Sequence, residues 1–281
     1  MAQKKKVPAR KTAKKAGVRR PAPKGGKKAA PRGPVAAGAT KLIYLLWAPS
    51  TWEPRQVKGA ILDVLVPHLG GAGVTAITLY CKDGETTVKS PAPNLYGKTA
   101  PDAKLCLWVK SKAAHGRIEK AVAETGFTSA AYRVTESVYK DYGDNAHAAA
   151  RHWPDGVRSP GVVAVTLMER PAKLPRAEWI RRWHGAMSPL SESIQPRTRY
   201  VRNVVEEALT RGAPPFEGIV AEAWPSPRHV SNPFLFYGAR NPLMLPVNMV
   251  RILRAVTSFL SLRKIQTVMM GEYILKSAWK K

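Results

Sequence analysis

An α+β protein is what the sequence predicts: two successive β-α-β-β-α-β units preceded by a disordered basic arm. Three observations carry this expectation. With 281 residues, 44% of them hydrophobic and eight of them Trp, the chain has enough apolar material for a sizeable core. Its charge is concentrated: of a net +27, residues 1–35 supply 13 Lys or Arg and no acid, so the other 246 residues carry 33 basic and 19 acidic groups. Finally, a strand-helix-strand-strand-helix-strand order that begins near Lys41 starts again about 120 residues later.

Residues 1–40 are expected to stay unfolded. Up to Val35 they hold five Pro and four Gly, and no aromatic residue precedes Tyr44, so they cannot bury enough apolar surface to offset chain entropy. Lys4, Lys5, Lys6, Lys14, Lys15, Arg19, Arg20, Lys27 and Lys28 stand in Lys/Ala/Pro patches that resemble the tails of linker histones and bacterial nucleoid proteins. Each Lys that neutralised a phosphate would release a counterion, giving attraction to nucleic acid or another polyanion with a steep salt dependence. A solvated tail without a dedicated partner fits the same composition.

The first unit is expected over residues 41–141. Its opening strand, KLIYLLWAP, is an apolar run ended by Pro49, and Pro54 suits the first turn of a helix in which Val57, Ile61, Val64 and Leu65 form one stripe. Gly70, Gly71 and Gly73 precede a strand and read as a turn. GVTAITLYCKDGE and PDAKLCLWV supply strands two and three, Lys110 to Gly126 the second helix with Gly126 as its stop, and YRVTESVYK the fourth strand. Residues 142–160, polar and carrying Pro154 and Gly156, read as a linker.

The second unit, 161–277, repeats the order. VVAVTLMERP opens it; Ile180, Trp183, His184 and Met187 follow at i, i+3, i+4 and i+7; RTRYVRNVVEE and PPFEGIVAEAW are strands; Met249, Ile252, Leu253, Val256 and Phe259 stripe a helix; QTVMMGEYILK closes it. This order is the split βαβ, or ferredoxin-like, unit. Glu136 and Glu272 then occupy matching places near the ends of the two last strands.

Motifs with recognisable spacing are missing: there is no HExxH, CxxC, GxSxG or P-loop pattern, and the six His are scattered. No metal and no cofactor is expected. Cys81 and Cys106 are two cysteines in a long chain, which suits a reducing compartment and hence the cytoplasm. The longest apolar run, Leu42 to Ala48, is far shorter than the ~20 residues of a membrane-spanning helix, so no membrane partner is expected, nor a signal peptide.

In the second unit, WHGAMSPLSESIQPRTRYVRNVV, APPFEGIVAEAWPS and GEYILK together resemble the EthD family of dimeric α+β barrel proteins, in particular its bacterial tandem-repeat members. The resemblance implies a sheet whose face encloses a small pocket, and relatives acting as monooxygenases, decarboxylases or dehydratases on aromatic or polyketide-like molecules. It also implies a His four residues after the Trp of the first helix. Here that place is taken by Met187, whose thioether cannot exchange a proton at neutral pH.

Candidate site residues follow. His184, one turn before Met187, could carry proton transfer, or could be a packed His. Glu222, inside the apolar GIVAEAW, must be paired, protonated or on an edge; it could be a general acid, or an edge carboxylate paired with Arg. Arg199, Tyr200 and Asn203 offer donors to a substrate, although alternation sets Arg199 and Asn203 opposite Tyr200. Glu272 could point into a pocket, as could Glu136, with structural pairing preferred. Trp183, Tyr44, Trp108 and Trp224 supply aromatic surface, for core or ligand. The expected partner is a small apolar or aromatic molecule, with or without acid–base chemistry. The alternative is a non-catalytic scaffold whose arm holds nucleic acid, and the sequence leaves homo-oligomerisation open.

Overall fold

A computed structural model describes residues 38–111 and 113–277. The nine basic arm positions named above lie outside the described residues. Eight strands form a closed antiparallel barrel: β1 (Thr40–Trp47), β2 (Val74–Cys81), β3 (Ala103–Val109), β4 (Thr128–Lys140), β5 (Val162–Met168), β6 (Arg199–Ala208), β7 (Gly218–Trp224) and β8 (Ile265–Lys276). Around the ring the order is β1-β3-β2-β8-β5-β7-β6-β4. Each half contributes four neighbouring strands, in the order fourth, first, third, second. The halves meet at two seams, β2 against β8 and β4 against β6.

Closure removes every sheet edge, which corrects one expectation. Glu222 is not on an edge strand, because β7 is hydrogen-bonded to β5 on one side and β6 on the other.

Side-chain alternation separates two environments. Ile43, Leu45, Val163, Val165, Val201 and Met270 point inward and fill the barrel. Leu42, Tyr44, Leu46, Leu105 and Leu107 point outward and pack under the helices of the first half. Those are α1 (residues 54–68) and α2 (Ala114–Glu124), the latter stopped by Gly126 at φ 81°. In the second half, α3 (residues 176–194), the short α4 (Pro227–Ser231) and α5 (Pro233–Phe236), and α6 (Met244–Thr257) cover the outer face.

Both opening helices widen into a π-helical turn at their centre, Ala60–Leu65 in α1 and Arg181–Met187 in α3. The wider turn shifts the helical phase and explains why Val64, expected in the buried stripe, is 45% exposed while Val57, Ile61 and Leu65 are buried. A second correction concerns α6. Ile252 and Phe259 are buried as expected, but Met249 and Leu253 face solvent. Cys81 and Cys106 are free and buried.

Candidate functional site

The second half's outer face borders a cavity of about 200 Å³ between β5, β7 and β8, the helices α3, α5 and α6, and the first-half segment Pro91–Ala92–Pro93. Small side chains make the room. Where the first half pairs Leu42 with Leu107 and Tyr44 with Leu105 on its outer face, the second half pairs Ala164 with Glu222 and Thr166 with Val220. Gly218 is required where it stands: a Cβ there would lie 2.6 Å from the Met168 methyl and 3.0 Å from the Trp179 ring. The indole of Trp179 packs there against that of Trp183, tilted at 5.0 Å, and Trp183 lines the cavity. The walls are mostly apolar, with Trp183, Met187, Val220 and Trp224 among them; Thr166, Gln195, Tyr200 and Glu222 supply polar atoms.

Glu222 accepts from Arg197, which precedes β6. Arg197 was not singled out in the sequence, yet it is the organising cation of the site. Its side chain is fully buried, it donates to Ser191 Oγ at 2.8 Å, and its guanidinium lies 4.0 Å from the centre of the Tyr200 ring. Burial alone would lower its pKa; Glu222, Tyr200 and Glu192 together raise it. Tyr200 in turn accepts from Trp183 Nε1 at 3.1 Å and contacts Ser188 Oγ at 3.3 Å. Burial, then the nearby Glu222 charge, raises its pKa, so its hydroxyl stays protonated.

His184 does not line the cavity. Its ring meets Trp183 edge-on at 4.6 Å, and its Nε2 is buried without a partner among the described residues. Burial, aided by Arg202, lowers its pKa to about 4, so it is neutral at pH 7.

The remaining sequence candidates divide between other places. Arg199, Asn203 and Glu272 face the barrel interior, on the side of β6 opposite Tyr200 as alternation required. Glu272 is buried; it accepts from Arg199 at 2.9 Å, Tyr142 at 3.0 Å and Ser159 at 2.8 Å. Arg199 also donates to Asp141 at 2.8 Å. Lys104 sits nearby, 3.8 Å from the Tyr80 ring centre, and burial pulls its pKa down to about 8. Asn203 donates to the Ile219 carbonyl. Glu136 pairs with Lys41, whose Nζ lies 4.5 Å from the Trp108 ring. Tyr44 belongs to the first half's outer core, its hydroxyl 2.7 Å from His115 Nδ1. Trp183, Met187, Tyr200, Glu222 and Trp224 are therefore brought together, while Tyr44, Trp108, Arg199, Asn203 and Glu272 are not.

No known protein family matches the chain's sequence, and no curated protein matches it. Among solved structures, an anthrone oxidase-like protein is similar over 87% of this chain and 97% of its own, with TM-score 0.53 and 11% identity. Chlorite dismutase from Candidatus Nitrospira defluvii aligns over 85% of this chain and 92% of its own, at TM-score 0.42 and 10% identity. A heme-binding protein from Thermus thermophilus aligns over 84% and 91%, at TM-score 0.35 and 11% identity. What the chain shares with the anthrone oxidase-like protein is its fold, an α+β barrel spanning nearly the whole of both chains.

Proposed function

We propose that the cavity beneath α6 binds a small apolar or single-ring aromatic molecule, with Glu222, held from behind by Arg197, and Gln195 meeting its polar atom. The observation that carries this reading is the cavity itself on the second face, with a carboxylate at its wall, Glu222, whose cation Arg197 is buried behind it. A mostly apolar pocket with a few convergent polar groups is the usual form of a small-molecule site. The volume fits the ligand class: a dry apolar cavity of about 150 Å³ holds benzene elsewhere, and drug-sized ligands occupy roughly 300 Å³ or more.

In this reading any acid–base step belongs to Glu222, which borders the cavity, rather than His184, which does not. The finer family reading, an EthD-like protein of two ferredoxin-like units, is part of the same proposal; the strand order shared by the halves and the cavity beside Trp183 and Met187 support it. A reducing cytoplasm fits the two free, buried thiols.

The test is thermal unfolding of the full chain with benzene or phenol, since a ligand that binds only the folded state raises the midpoint with concentration. Ala164→Leu should abolish the rise, and Glu222→Gln should weaken it for phenol more than for benzene. A rise that persists in Ala164→Leu would place binding elsewhere and overturn the reading.

A further inference from the structure

The helix that roofs the cavity has a second apolar face, and no described residue covers it. Along α6 and the residue before it, Leu243, Met244, Val247, Met249, Val250 and Leu253 are all exposed, Leu243 at 83% and Leu253 at 52%. Leu243, Val247 and Val250 follow at i, i+4 and i+7, one line down the helix, while Asn248 and Ile252 on the other side are buried. An exposed apolar row of this kind marks an interaction surface rather than ordinary scatter.

Charge decides the occupant. From Ala223 to Gly271 there is no acidic residue, while Arg228, Arg240, Arg251, Arg254, Arg263 and Lys264 are present. Arg251 and Arg254 stand on α6 itself, at the end of the apolar line, and both are exposed. A second copy docking by the same face would bring these arginines against their own kind, with +27 on each chain. An amphipathic helix with bulky apolar residues on one side and arginines at its border instead suits a negatively charged lipid surface, where acyl chains receive the one and headgroups the other. No helix among the described residues is long and apolar enough to cross a membrane, so contact would be in the plane of the interface.

We propose that α6 is a peripheral docking surface for anionic lipid membranes. The opposite side of α6 lines the cavity through Ile252 and Val256, so docking would set the membrane over the roof of the binding site. Docking itself does not depend on the ligand reading and can hold where that reading fails.

The experiment uses the full chain with Val247→Cys, labelled by a polarity-sensitive fluorophore; the native cysteines are buried. Vesicles contain equal parts phosphatidylcholine and phosphatidylglycerol, or phosphatidylcholine alone. With anionic vesicles the emission should shift to the blue, while a label at Lys120→Cys on α2 should stay in water. Val247→Asn with Val250→Asn should lower vesicle association about tenfold, at an unchanged unfolding midpoint. Vesicle association with no shift at position 247 would assign the binding to other basic residues and overturn the proposal. So would retention unchanged in the double Asn variant, or a shift that needs only more protein and no lipid, which would mark self-association.

Discussion

The two outer faces of the barrel share one order of strands, with two short extra helices in the second half, yet the first is packed with leucines and the second holds a cavity. In the first half, leucines from β1 and β3 interlock with Val57, Ile61 and Leu65 of α1 and with Ile118 and Val122 of α2. In the second, Ala164 and Thr166 stand where the register of the first half has Leu42 and Tyr44, and the two Trp beside Gly218 fill one end without filling the other. The difference teaches that the fold's topology does not require a cavity; side-chain volume at a few outward positions decides whether there is one.

Breaking the polar wall of the hollow face should have the largest effect. Arg197→Ala leaves Glu222 without its cation and Ser191 without its donor, and should cost about 3–5 kcal/mol in denaturant unfolding, as loss of one partner of a buried pair does. A cost below about 1 kcal/mol would mean the carboxylate finds water instead. On the solid face, Leu105→Ala removes a wholly buried side chain and should cost about 2–4 kcal/mol. It should also open a void there, so that benzene raises the variant's midpoint more than the wild type's. Filling the hollow sharpens the contrast: Ala164→Leu should change stability by no more than about 1 kcal/mol, because the added carbons enter empty space. A large loss would show the cavity walls to be rigid.

The smallest expected effect is pH-dependent. His184 titrates near 6.5 when unfolded and near 4 in the fold. Between these values the unfolded chain takes up a proton that the folded chain refuses. Stability is therefore full above pH 6.5 and declines as the pH falls toward 4. His184→Gln should flatten that slope in urea titrations, modestly because the ring is only partly buried. An unchanged slope would mean that His184 is as well solvated in the fold as out of it.

Much of the architecture could be read from the sequence because the strands obey simple alternation. The opposite facing of Arg199 and Tyr200 followed from spacing alone, and Gly126 stopped its helix as a left-handed residue does. The π turns could not be read, because a wider helical turn leaves no residue signature, and Val64 was misplaced for that reason. Glu222 clearly needed a cation, but which of many Arg would supply it depends on how the Gln195–Pro196–Arg197 segment turns into β6. The same holds for Glu272, whose partners Tyr142 and Ser159 come from a stretch that composition marks only as linker. Met249 and Leu253 matched a core stripe because α6 is apolar on both sides, and periodicity cannot say which side is covered.

Closure of eight strands within one chain also frees the molecule from symmetry. A ring made from two copies of one four-strand unit would carry identical faces, so any mutation that hollowed one would hollow both and weaken the assembly twice. Here both seams join different sequences, β2 to β8 and β4 to β6. A single polypeptide can thus keep one face as ballast for stability while the other departs from tight packing, and every substitution is felt once.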